Sequence, residues 1–304
     1  MVRIVPQTAV RMHFANPLEA AEYAARICYR SDTHDRGPEA RKKFLMGLAN
    51  RKHSTPFEHA WLCLNKQDIT EDEWNEIDMM VLEEPDNKGP HVFPVDQFTY
   101  DDGTKTLSCN MRSLINLCGI DRTFQLMDKA WTRSTGVHTF EIITSRAIGN
   151  QLIRHRALSF VQAWQLPEPS INQESLRWVR MDDPVVCLSE GYQKELNQDP
   201  GAMHIWRASC QRSFEAYSEL VSKGYKKELA RTVLPLATAT RILMTAPINV
   251  WYEFLKLRLE KGAEPMMQEL AESIYKELKT EFRIKHFDVN CSPFTDHDET
   301  STDQ

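Results

Sequence analysis

From Val137 to Arg180 the chain alternates between two periodicities, and few architectures can hold that run. VHTFEII at 137–143 has the two-residue alternation of a strand. It runs into a helix pattern with Ser145 placed to cap it, Leu152 and Ile153 as apolar positions, and no proline until Pro167. On such a helix Arg154 and Arg156 diverge by roughly 200°, so they serve two groups or two sides of a large ligand. Further on, ESLRWV reads as a short strand with Ser175 and Arg177 on one face, a hydroxyl beside a forked cation. That pair suits a phosphate. The plain alternative is a solvated basic helix end followed by an exposed strand.

Composition narrows the classes of ligand. The chain of 304 residues carries a formal charge of -6, which argues against a general binder of nucleic acid or membrane surfaces. Its arginines nevertheless gather in a few segments, the pattern of a local anion site in an acidic protein. Seven cysteines (Cys28, Cys63, Cys109, Cys118, Cys187, Cys210, Cys291) include no C-x-x-C pair and no zinc spacing. They read as reduced, buried thiols of a cytoplasmic protein without a metal site. With 11 glycines and no glycine-rich phosphate motif, a nucleotide would have to be held by side chains.

Along the rest of the chain, MVRIVPQTAV reads as an opening strand, and Pro17 starts a helix with Leu18, Ala21, Ala25 and Cys28 on one face. A helix over 38–52 and a strand at 61–64 follow. Residues 66–135 form a polar, acidic insertion with a helix at 68–84, a turn-rich stretch at 84–94 and a strand after Asp101-Asp102-Gly103. A long helix over 202–223 carries Trp206, Phe214, Tyr217 and Leu220 as a packing stripe, and Pro235 ends a helix close to Arg231. In a helix over 248–261, Arg258 extends the apolar stripe of Trp251 and Phe254, where an unpaired charge is costly unless it reaches water or a ligand. Residues 292–304 read as a disordered acidic tail on a single domain, 1–291.

Several segments resemble the flavin-dependent thymidylate synthases. Arg154-His155-Arg156, Ser159-Phe160 and Asn172 to Trp178 resemble that family's Arg-His-Arg, spacer, Ser-x-Arg-Tyr signature, interrupted by an insertion over Val161 to Ile171 and ending in Trp178 where Tyr is usual. HSTPFEHA resembles the family's H-x-S-x-x-E-H segment, GYKKELARTVLPL its E-x-A-R-x-x-L-P-L segment, and Phe254 to Arg258 its F-L-x-L-R sequence. The family's C-terminal Asn-x-Arg-x-x-x-Asn flavin motif is missing: Pro247, Asn249 and Glu253 stand there. A similar pattern occurs upstream at Asn110, Arg112 and Asn116, as a relocation or by accident.

The resemblance implies a mixed α+β domain of the thymidylate synthase-complementing-protein type, with an inserted segment, assembling as a homotetramer. It implies an FAD-dependent reductive methylation of dUMP to dTMP with methylenetetrahydrofolate and NADPH, needing no cysteine nucleophile. By the same carry-over Arg258 is the catalytic residue, facing charge on the uracil ring. Gln151, Arg154, Gln173, Ser175, Arg177 and Arg231 bind the nucleotide with it. His59, Arg154, His155, Arg156, Asn110, Arg112 and Asn116 bind the flavin. A methylase or hydroxymethylase of another pyrimidine nucleotide (dCMP, UMP) and a non-catalytic flavin or nucleotide module stay open. Bound flavin and turnover with folate would separate them.

Overall fold

The computed structural model of the protein describes residues 1–31, 37–75, 99–101, 106–129, 132–133, 136–154, 169–285, 287–289 and 294. The opening segment is two strands, β1 (Arg3–Pro6) and β2 (Thr8–Met12). They part at Gln7, whose amide donates to Met266 O at 2.8 Å and accepts from the Thr144 hydroxyl at 2.6 Å. Helix α1 (Pro17–Ile27) starts where Asn16 accepts from Glu19 N, with Pro17 in the first turn. Ala20, Ala21, Ala24, Ala25 and Ile27 are buried, a wider face than the pattern implied, because alanines let the helix approach on two sides.

Helix α2 (Gly37–Asn50), a 3-10 turn (Thr55–His59) and β3 (Trp61–Asn65) follow. The region expected as an insertion then adds β4 (Thr99–Asp101), β5 (Thr106–Asn110), α3 (Met111–Cys118), α4 (Ile120–Lys129) and β6 (Thr132–Arg133). Its strands assemble on β3 in the order β4-β5-β3-β6. Leu45, Phe57, Leu62, Leu114 and Phe124 form a core there with Ala21 and Ala25 of α1. The region is thus a wall of the fold and no appendage. Of the acidic helix expected at 68–84, residues 71–75 are helical and the part from 76 onward, with the turn-rich stretch at 84–94, lies outside the described residues.

The central sheet runs β2-β7-β10-β8, built with β7 (Val137–Ser145), β8 (Ser170–Gln173) and β10 (Ala239–Pro247), antiparallel at every step. Helix α5 (Arg146–Ile153) leaves β7 directly. Strand β9 (Val185–Leu188) pairs in parallel with β1, and α6 (Glu190–Gln198), α7 (Pro200–Ser222) and α8 (Lys227–Ala230) lie between it and β10. Helices α9 (Ile248–Arg258) and α10 (Pro265–Ile284) cover one sheet face with Trp251, Phe254, Tyr275 and Phe282, against Phe140 and Ile142. Full burial of side chains of this size contributes about 1.5–3 kcal/mol each. Trp251 also donates from its indole to His138 O at 3.0 Å. The other sheet face meets α1 where Ala24 and Ile27 touch Leu243.

One expectation is corrected here. Residues 174–179 are a turn and not a strand: Ser175 O accepts from Trp178 N and Val179 N, and the Ser175 hydroxyl accepts from Arg177 N at 3.3 Å. Such local bonds replace a ladder partner. Within the expected disordered tail, Phe294 is buried, its ring 5.2 Å from that of Tyr252 and 5.3 Å from that of Tyr275; apart from Phe294, residues 290–304 lie outside the described residues.

Candidate functional site: an arginine cluster at the start of α5

Ser145, the last residue of β7, accepts from Ile148 N and so begins α5 immediately after the strand. Arg146 therefore occupies the first helical position. Its Nη2 donates to Glu174 O at 2.6 Å, just beyond the end of β8. Its Nε is buried without a partner among the described residues. Burial pushes the Arg146 guanidinium down to about 10, Glu174 opposes that shift, and Arg231 and Arg30 add to it. Arg231 and Arg30 thus each repel Arg146, and the Glu174 carboxylate offsets part of that repulsion. Arg30 Nε stands 3.0 Å from Glu174 Oε1. Its backbone is left-handed at φ 51, a conformation costing a non-glycine residue roughly 1–2 kcal/mol, and it follows directly on the end of α1.

The residues expected to bind phosphate surround this cluster. Ser175 N donates to Cys28 O, tying the turn to the end of α1. Arg177 is more than half exposed, donates to Glu228 Oε1 at 3.2 Å, and lies 5.0 Å over the Trp178 ring. Arg231 opens a 3-10 turn after α8, and the chain becomes extended at Leu234 ahead of Pro235. Gln173, the last residue of β8, keeps a buried Nε2 without a partner among the described residues. Beside Arg30 and Glu174 opens a cleft of about 720 Å³, also lined by Arg3, Tyr23, Asp183 and Arg241. On its wall the Tyr23 hydroxyl donates to Glu141, and burial together with that carboxylate pushes Tyr23 up to about 12.

Other expected residues stand apart. Arg258 closes α9; burial lowers its pKa, and its Nε is buried without a partner among the described residues. Gln151 donates to Glu264, in the connection between α9 and α10. Arg154 caps the C-terminus of α5, exposed and without an ion pair among the described residues, so the helix ends before the Arg-His-Arg triplet is complete. His155 and Arg156 lie outside the described residues.

The remaining four lie in the wall built on β3. His59 is buried, with Nδ1 2.8 Å from Thr245 Oγ1. Burial pushes it down to about 3, against a hydrogen bond with Asn172. The cavity it borders measures about 40 Å³, room for a water and not for an isoalloxazine ring. Asn110 caps α3, accepting from Ser113 N at 2.9 Å, which is where a pattern of this spacing requires it. Arg112 pairs with Glu58, and Asn116 is exposed.

Residues 133–282 match the family model described as thymidylate synthase complementing protein. Over these residues, just under half of the chain, the sequence is similar to that family. The match begins just before β7 and ends within α10, so it takes in Arg146, Gln173, Ser175, Arg177, Arg231 and Arg258, whereas His59, Asn110, Arg112 and Asn116 precede it. A flavin-dependent thymidylate synthase of Synechocystis sp. is 30% identical over 142 residues, covering 44% of this chain and 61% of that protein. A probable flavin-dependent thymidylate synthase of Paramecium bursaria Chlorella virus 1 is 31% identical over 135 residues, covering 43% and 60%. The chain spans about three fifths of the length of these curated relatives. Among solved structures, a UMP/dUMP methylase PolB from Streptomyces cacaoi bound with 5-Br dUMP is 16% identical, with a TM-score of 0.43 over 94% of this chain and 97% of that one.

Sequence reasoning missed Arg146 and Arg30. For Arg146 the capping serine signalled its place at the first helical position, but its reach to the end of β8, two strands away from β7, had no local signal. Arg30 had none, because its placement depends on a left-handed backbone and on Glu174.

Proposed function

We propose that the chain is a flavin-dependent methylase acting at C5 of a pyrimidine nucleoside monophosphate, with dUMP as the first substrate to test. Methylenetetrahydrofolate would be the carbon donor and NADPH the reductant, in a homotetramer. The observation that carries this reading is the cluster around Arg146. A half-open group of three arginines, one of them with a buried Nε that has no partner among the described residues, stands in a chain whose net charge is -6. A phosphate dianion relieves the mutual repulsion and supplies the missing acceptor, and each such charge-assisted bond contributes about 1.5–3 kcal/mol. Ser175 and Arg177 lie on the adjoining turn and Arg231 on the facing one, so they complete the phosphate grip.

At the ring, C5 must become nucleophilic. Burial pushes the thiols of Cys28, Cys109, Cys187 and Cys210 up, the wrong direction for a cysteine attacking the base. A fixed cation is the other way to stabilise charge on a uracil, and Arg258 is a half-buried guanidinium with an unmatched donor. When bound, a flavin supplies the electrons that complete the methyl group. Its anionic phosphates fit the exposed guanidinium of Arg154, which has no ion pair among the described residues; Arg112 could join only by leaving Glu58. Mass analysis of the products formed from dUMP, dCMP and UMP, each with FAD, NADPH and methylenetetrahydrofolate, tests the proposal. A product heavier by one methyl group supports it, a hydroxymethyl product revises it, and no conversion of any nucleotide by flavin-loaded protein overturns it.

A further inference from the structure

Gln173 Nε2, Thr240 Oγ1 and Arg146 Nε are buried without partners among the described residues, and the three residues belong to α5 or to the strands beneath it, where Gly149 of α5 meets Gln173 and Thr240. A Cβ placed there would stand 2.7 Å from Gln173 Nε2, 3.2 Å from Ile242 Cδ1 and 3.4 Å from Thr240 Cγ2. Gln173 sits opposite Ile242 in the ladder between β8 and β10, so both side chains point to the sheet face beneath α5. Arg146 lies one helical turn before Gly149 and therefore on the same helix face. The Gln173 carboxamide thus fills the volume that any larger residue at 149 would take.

Two buried donor atoms without an acceptor among the described residues, Gln173 Nε2 and Arg146 Nε, are unfavourable as they stand. Both are donors, the neighbouring hydroxyl can turn either way, and a ligand offering oxygen atoms satisfies all three. Glycine inside a helix of eight residues is itself a poor choice beside alanine. The room it leaves explains it.

We propose that Gly149 is a positioning residue: lacking a side chain, it lets the Gln173 carboxamide stand beside Arg146 as a paired donor for the oxygen atoms of the bound pyrimidine nucleotide. This rests on the nucleotide reading above. Alanine at 149 displaces the far end of a flexible side chain and not the backbone, so the fold survives while the donor pair is broken.

The test compares full-length, flavin-loaded wild type with Gly149→Ala, Gln173→Ala and the double variant. Calorimetric titration with dUMP and with UMP, flavin affinity and Tm are measured for each. Gly149→Ala is expected to weaken nucleotide binding about tenfold, as Gln173→Ala does. The double variant is expected to be no weaker than Gln173→Ala alone, because the two changes remove one contact. Flavin affinity stays put and Tm holds or rises. Unchanged affinity in Gly149→Ala, or losses that multiply in the double variant, overturns the proposal. If Gly149→Ala fails to fold, recovery of folding in the double variant upholds the contact, and failure there too overturns it. Wild-type protein that binds neither nucleotide sinks the nucleotide reading, and this proposal with it.

Discussion

Replacing Arg146 by methionine keeps the length and apolar stem of the side chain and removes its charge. In the folded protein two effects oppose each other. The bond from Nη2 to Glu174 O is lost, about 1.5–3 kcal/mol for a charge-assisted contact. Against it, a guanidinium lowered from 12.5 to about 10 has its charged form disfavoured by roughly 3 kcal/mol, and that burden is lifted. The two are of equal order, so the variant is expected to melt within about 3 °C of wild type, since 1 kcal/mol corresponds to about 2 °C in a chain of this size. Nucleotide binding has no such compensation. One charge-assisted contact to phosphate disappears, and affinity for dUMP should fall about ten- to a hundredfold. Wild-type binding should also weaken with salt more steeply than binding to the variant, because one fewer charge is engaged. Calorimetry at two ionic strengths and a thermal melt read all three quantities. Wild-type affinity combined with a melting temperature lower by more than about 5 °C would show Arg146 to be a strut of the fold, and the phosphate argument would collapse.

Arg258→Ala should leave Tm unchanged or raised, since an unpartnered buried Nε disappears, while turnover of the nucleotide falls at least about a hundredfold. Arg258→Lys should recover little of it, and near-normal rates in either variant remove Arg258 from the reaction. Arg112→Ala breaks the ion pair with Glu58; protein that purifies folded but with little flavin supports the motif at 110–116 as a flavin contact, and a full complement of flavin assigns Arg112 to holding Glu58 alone. Burial tends to raise the Glu22 carboxyl, but hydrogen bonds from Arg26 and Arg41 prevail and its pKa is lowered. A depressed carboxyl contributes stability that is present above its unfolded value, near 4.3, and lost as pH falls through the folded one. Glu22→Gln should therefore flatten the fall of Tm below about pH 4.5 and lower Tm at pH 7; an acid limb as steep as wild type's contradicts the network's role.

Local chemistry was legible, and long-range placement was not. Ser145 capping α5 and Pro17 in the first turn of α1 depend on neighbours within one turn, and both stand in the structure as the residues imply. Trp206, Phe214, Tyr217 and Leu220 form the apolar stripe their spacing predicts. The segment after Gln173 misled because alternation alone cannot reveal that a serine hydroxyl will close a turn on Arg177 N. Arg146 acquires its meaning from Glu174, 28 residues later, and from Arg30 and Arg231, which no helical or strand period relates to it. The polar stretch after β3 read as an insertion because the pairing of β5 with β3, Trp61 opposite Asn110 to Asn65 opposite Thr106, is a tertiary fact.

The parallel pairing of β1 with β9 has a consequence for how the chain emerges from a ribosome. Arg3 pairs with Val185, so the first strand has no ladder partner until residues 185–188 have been made. At about 5–20 residues per second, that is a wait of roughly ten to forty seconds. Val2, buried in the finished protein, and the partly buried Ile4 and Val5 stay wet throughout that interval. The nascent β1 thus offers chaperones that bind short apolar segments a longer opportunity, and slow decoding between β1 and β9 would lengthen its exposure.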